Sequence, residues 1–138
     1  MRKLATAFMS LALLITTPLI AAEKPDSPLT VSGATTIDAT QAKALFDKEV
    51  MFIDVRKSIG WDAGRIPGAE QLELKKVLSK ESLSELVKKD QEVVFYCNGP
   101  KCLRSSKASA KAVSWGFTKV NYFRDGFPAW AAAKYPVE

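Results

Sequence analysis

The run Val93-Val94-Phe95-Tyr96 limits the fold of this chain more than any other feature. Four consecutive residues of high β-propensity make it the clearest strand in the sequence. Cys97 follows at once, then a loop bearing Gly99 and Pro100, then a helix-like run from Ser105 to Trp115. In that run Ala108, Ala112 and Trp115 share one face, and Gly116 supplies the stop. The same alternation holds along the chain. Thr35-Thr36-Ile37 reads as a first short strand. Asp38-Ala39-Thr40-Gln41 has the form of a capping box, with Ala42, Leu45 and Phe46 following at helical spacing. Met51 to Val55 is a buried-strand candidate. Ile59 to Ala63 makes one helical turn, and Ile66-Pro67-Gly68-Ala69 a turn into an extended piece. Leu83, Leu86 and Val87 mark another helix. Val120 to Phe123 is the last strand, and Phe127 to Lys134 a closing helix. Strands that alternate with helices imply an α/β domain with a mainly parallel sheet covered on both faces.

The first residues are read as a targeting segment, not as part of this domain. Arg2 and Lys3 precede an almost continuously apolar run, Leu4 to Ile20. Ala21-Ala22 then meets the polar Glu23-Lys24-Pro25-Asp26. That layout predicts a signal peptide over 1–22, cleaved after Ala22, in an exported protein that is periplasmic if the source is a Gram-negative bacterium. An uncleaved anchor is the competing reading, but the run is at the short end for a spanning helix. Residues 23–35, rich in Pro, Ser, Thr and Gly, read as a flexible leader, and 36–138 as one domain. Without Arg2 and Lys3 the 20 Lys and Arg become 18 against 15 Asp and Glu, a formal +3 in place of +5. This excess is scattered, with no basic stripe interleaved with aromatics, so no nucleic-acid partner is expected. A small anionic substrate fits it. No stable membrane insertion is expected after cleavage.

The chain has two cysteines and no histidine. This excludes Cys-His and Ser-His-Asp nucleophile arrangements. It also leaves no zinc-type ligand set, so neither a metal nor a cofactor is expected. Ligands of α/β sheets collect at the carboxyl ends of strands, where Cys97 stands. A loop that curls back before a helix aims amides inward, and such a concavity holds anions. It also stabilises a thiolate, lowering a cysteine pKa from about 8.5 towards neutrality or below. Asn98, Gly99, Lys101, Leu103, Arg104 and Ser105 are therefore the candidate substrate-binding residues around Cys97, with Lys101 and Arg104 adding positive charge. Two blander readings stand beside this one. A cysteine that ends a buried strand is often an inert small hydrophobe. A Cys97–Cys102 disulfide is permitted in an exported protein, but it closes so small a loop that it constrains the unfolded chain little.

From Ile37 to Pro136 the chain resembles the single-domain rhodanese-like sulfurtransferases. The resemblance rests on Phe52-Ile53-Asp54-Val55-Arg56, on Trp61-Asp62-Ala63-Gly64-Arg65-Ile66-Pro67-Gly68-Ala69, on Val93 to Cys97 with its loop, and on Trp115-Gly116-Phe117 through Asp125-Gly126-Phe127-Pro128-Ala129-Trp130. It implies a five-stranded sheet flanked by helices on both faces. It also implies that Cys97 is the catalytic nucleophile. Cys97 would take sulfur from a sulfane donor such as thiosulfate or a polysulfide, and pass it to a thiophilic acceptor, a thiol or a redox protein. Arg104 matches the family's loop-closing arginine, which would orient an anionic donor or brace the loop.

Three departures qualify that picture. The family's arginine lies five residues after the cysteine, and six in related phosphatases and arsenate reductases, whereas Arg104 lies seven after Cys97. The longer loop keeps oxyanion chemistry of those kinds as a minor expectation. Arg65 stands where the family often has histidine, and Gly60 where it often has a glutamate that would pair with Arg56. Cys102 lies inside the loop, as a candidate resolving cysteine. Through a Cys97–Cys102 disulfide the protein would act as a sulfane-sulfur reductase. A non-catalytic sulfur carrier for a redox partner is a further alternative. The oligomeric state is not legible.

Overall fold

The computed structural model describes Pro18, Leu19 and residues 26–138. The expected signal peptide, apart from those two residues, lies outside the described residues, as do residues 23–25 of the expected leader. Ten elements follow in strict alternation: β1 (Ala34–Thr36), α1 (Ala39–Asp47), β2 (Met51–Asp54), α2 (Ser58–Ala63), β3 (Glu70–Gln71), α3 (Lys80–Ser84), β4 (Glu92–Tyr96), α4 (Arg104–Ser114), β5 (Lys119–Phe123) and α5 (Gly126–Ala132). The five strands form one sheet in the order β1-β5-β4-β2-β3. Every pairing is parallel.

Local chemistry accounts for the boundaries. Asp38 caps α1 through a full capping box with Gln41, as its spacing predicts. A second box, Ser79 with Ser82, opens α3. That helix stops at Ser84, short of the expected stripe. The next turn still carries Val87 back to Leu83, through a 3.0 Å amide bond to the Leu83 carbonyl. Gly116, at φ +93°, follows the end of α4.

The sheet is covered on both sides. Ile53, Val93, Phe95 and Val120 pack with Leu83, Ala108 and Ala112 from α3 and α4. Phe52, Val94, Tyr96 and Phe123 pack on the other side with Ala42 and Trp130 from α1 and α5. Burial of each large apolar side chain contributes about 1.5–3 kcal/mol. Register then places the site. Asp54 aligns with Tyr96, and Tyr96 with Phe123, so β2, β4 and β5 end at one level. The segments that follow them meet at one edge.

The stretch expected to be a flexible leader is fastened to this edge from Asp26 onward. The buried Ser27 donates its N–H to the Pro100 carbonyl at 2.6 Å. Its own carbonyl accepts from the Arg124 guanidinium, and Pro28 O accepts from Tyr122 Oη at 2.9 Å. Composition alone does not show this, because each of these bonds uses the segment's backbone. Among the described residues no helix is long and apolar enough to cross a membrane.

Candidate active site

Strand alternation turns Val93, Phe95 and Cys97 towards α4, and Val94 and Tyr96 to the opposite side. Cys97 is therefore fully buried at the end of β4. Its carbonyl accepts the Phe127 N–H at 2.9 Å, from the start of α5. Gly126, at φ +61°, makes this approach feasible: a Cβ there would collide with the Cys97 carbonyl oxygen and lie 3.0 Å from the Gly99 nitrogen. Gly99, at φ +111°, turns the loop against the Asp125 carbonyl. The Cys102 N–H closes the turn onto Gly99 O at 2.9 Å.

The two cysteines are free thiols, and Cys102 packs against the core cluster that contains Cys97. Cys97 Sγ lies 3.5 Å from the Cys102 carbonyl oxygen and 3.4 Å from Ser105 Oγ. The Ser105 N–H also faces Cys97, while the Asn98 and Arg104 N–H groups face Cys102. The hydrogen bond that Cys97 gives to Cys102, together with burial, pushes the Cys97 thiol well up. The same bond brings Cys102 down to about 6; desolvation opposes this, and the Asn98 and Arg104 amides and the Arg104 charge assist it. The two shifts run in opposite directions, up for the buried thiol and down for the half-exposed one. The sequence led to the opposite expectation, an activated Cys97. The loop amides divide between two sulfurs, and the half-exposed one receives more of them.

Arg104 is engaged as a brace. Its Nη1 lies 2.6 Å from Glu73 Oε1 and 3.3 Å from the Val55 carbonyl oxygen, which ties α4 to the segments after β2 and β3. Burial works to raise the Glu73 pKa, but the Arg104 hydrogen bond and the Lys76 and Lys75 amides outweigh it and hold the carboxyl below its usual range. Of the other expected binding residues, Asn98 is exposed on the loop, Gly99 and Ser105 are buried, and Leu103 accepts the Ser106 hydroxyl at the start of α4. Lys101 points outward to Asp26 at 3.3 Å.

A pocket of about 210 Å³ opens beside the loop, lined by Lys57, Ile59, Gly60, Asn98, Cys102 and Arg104. The structure therefore brings Asn98, Cys102 and Arg104 together at an open surface and leaves Cys97, Lys101 and Leu103 out of it. Lys57, Ile59 and Glu73 are additions. The position of Lys57 just past the carboxyl end of β2 was the available signal. Arg56, lacking the partner that Gly60 takes away, pairs with Asp54 at 2.6 Å and reaches Gly64 O at 2.7 Å. It also lies over the Phe127 ring at 4.6 Å and bonds Asn98 Oδ1 at 3.4 Å. The small Gly60 leaves room for this, since a Cβ there would press on the Arg56 side chain at 3.2 Å. Arg65 is elsewhere, stacked on Trp61 and paired with Glu138.

Residues 38–133 match the family model of the rhodanese-like domain. The chain is 33% identical over 98 residues to the thiosulfate sulfurtransferase GlpE of Pseudoalteromonas translucida, covering 70% of this chain and 89% of that one. It is also 33% identical over 87 residues to the tRNA uridine(34) hydroxylase of Buchnera aphidicola, covering 59% of this chain but only 27% of that protein. The chain thus spans between a fifth and two fifths of the length of several curated relatives it matches. Among solved structures, the BH2092 protein of Bacillus halodurans superposes with a TM-score of 0.67 at 23% identity, over 76% of this chain and 77% of that one, a likeness of fold.

Proposed function

The chain belongs to the rhodanese-like domain family, and on that premise we propose that it is a sulfurtransferase whose transferred sulfur rests on Cys97 as a persulfide. The donor is a small sulfane anion such as thiosulfate or a polysulfide. The acceptor is a thiophile, a thiol or a redox protein, met outside the cytoplasm if the N-terminal segment directs export. The observation that carries the reading is the loop itself: a cysteine at the end of the central strand, clamped through its carbonyl by α5 and facing the Ser105 amide at the start of α4. That amide offsets the negative charge of a persulfide without reorganisation. Splitting the transfer into loading and unloading replaces one hard displacement with two easier ones.

The contact between the two thiols favours a second reading, sulfane-sulfur reduction. There the partner thiol attacks the inner sulfur of the persulfide. Sulfide leaves with the bonding electrons, and a Cys97–Cys102 disulfide remains for an external thiol to reduce. One experiment separates the readings. Incubation with thiosulfate is expected to add the mass of one sulfur to the intact protein, and thiosulfate:cyanide turnover is expected to vanish in Cys97→Ala. Stoichiometric sulfide with a protein two hydrogens lighter would select the reductase. A stable persulfide without turnover would select a carrier. No mass gain from either donor would sink sulfur transfer altogether.

A further inference from the structure

We propose that Cys102 is the thiol that meets the incoming donor, and that the sulfur then passes from Cys102 to Cys97. The inference rests on the sulfur-transfer reading and assigns the order of events within it. Its ground is geometric. Cys97 has no exposed surface, and its sulfur lies beneath the Cys102 carbonyl and the Ser105 hydroxyl. The pocket that a small anion would enter is walled by Cys102, Asn98, Arg104 and Lys57, with Cys97 absent from its lining. Lys57 is exposed and makes no ion pair with any described residue, so its charge is available to an anion. Arg104 is committed to Glu73 but remains on the pocket wall. A donor that reaches Cys97 directly would have to displace the turn from Gly99 to Cys102, which a 2.9 Å amide bond closes. Attack by Cys102 needs no such opening.

The chemistry balances without an added oxidant or reductant. The Cys102 thiolate attacks the sulfane sulfur of thiosulfate. A Cys102 Sγ–S bond forms, the S–S bond of the donor breaks, and sulfite departs with the electron pair. Cys102 then carries an anionic persulfide. Cys97 attacks the outer sulfur of that persulfide. A Cys97 Sγ–S bond forms, the Cys102 Sγ–S bond breaks, and the proton of Cys97 moves to the Cys102 sulfur. Cys102 packs against the cluster that holds Cys97, so the two sulfurs exchange the proton within one loop. The direction of the shifts agrees, since the thiol brought down is the one at the pocket. The relay ends with the sulfur buried against the Ser105 amide, shielded from chance acceptors.

Lys101 lies between the two cysteines, so trypsin places Cys97 in the peptide 90–101 and Cys102 in the peptide 102–104. A rapid-quench time course with thiosulfate, followed by alkylation that preserves persulfides, reads the order directly. Wild type is expected to show the extra sulfur first on 102–104 and then on 90–101. Cys97→Ser is expected to keep its sulfur on 102–104, while Cys102→Ser loads 90–101 at least about tenfold slower than wild type. Loading of Cys97 at the wild-type rate in Cys102→Ser, with no sulfur found on 102–104 of the wild type, would overturn the relay and leave sulfur transfer standing. No sulfur on either wild-type peptide would remove both. Should Cys97→Ser fail to fold, the wild-type time course decides alone.

Discussion

The two faces of the sheet are packed with different materials. On the α1 and α5 side the core is aromatic. Phe46, Phe52 and Trp130 meet edge to face, with ring centroids 5.2 to 6.2 Å apart, and Tyr135 closes on Trp130 at 5.0 Å. On the α3 and α4 side Phe95 and Phe117 sit among aliphatic and small residues, and α4 buries Ser105, Ser106, Ala108, Ser109 and Ala112. Large rings bury much area per residue but hold helices off the sheet. Small residues bury less and let a helix approach closely. The face richer in aromatics is therefore expected to contribute the larger share of stability. The small-residue face lets the start of α4 close over Cys97. Tyr96 belongs to the first face although it adjoins Cys97, and its hydroxyl accepts the Ile66 N–H at 3.2 Å.

This division is open to direct attack. The largest effect is expected from Trp130→Ala, which removes a fully buried ring and its indole N–H bond to Pro136 O, at a cost of about 3–5 kcal/mol. Urea unfolding measures it. A loss below about 1 kcal/mol would show that the aromatic face is not where stability resides. Glu73→Gln should cost less, about 1–3 kcal/mol, by leaving the half-buried Arg104 without its counter-charge. Because the Glu73 carboxyl is held below its usual range, its contribution is full above the unfolded pKa and fades as pH falls through the folded one. The gap between wild type and Glu73→Gln should therefore narrow in acid. A constant gap would mean that only shape was lost. Sulfur loading should also slow in this variant, which a purely aromatic-face change such as Trp130→Ala should not cause while the protein remains folded.

The smallest perturbation is a single proton. Alkylation of Cys102 by iodoacetamide should be half-maximal near pH 6, falling below that pH as the thiolate is protonated. Cys97 should resist alkylation throughout the neutral range. Peptide mapping of 90–101 against 102–104 reads both at once. Faster labelling of Cys97 at neutral pH would reverse the assignment of the two thiols.

Much of this was legible along the chain. The alternation of strands and helices gives the parallel α/β sheet, and the Asp38 box gives the start of α1, because both are local patterns of side-chain period and backbone satisfaction. Cys97 was legible as the focus because a nucleophile after a central strand needs only strand order and loop composition to be noticed. The engagement of Arg104 with Glu73 was not, since those residues come from segments 31 apart that meet only when β2, β3 and β4 align. The fastening of Ser27 was equally hidden, because it runs through main-chain groups that every residue type carries.

The sequence by itself determined which atoms are present at the carboxyl edge: two thiols in one loop, no imidazole, and a glycine at 126 that lets α5 approach the Cys97 carbonyl. Only the tertiary structure decided which thiol faces outward and in which direction each pKa moves. Exposure and pKa depend on what lies above, below and beside a sulfur, and those neighbours are set by packing.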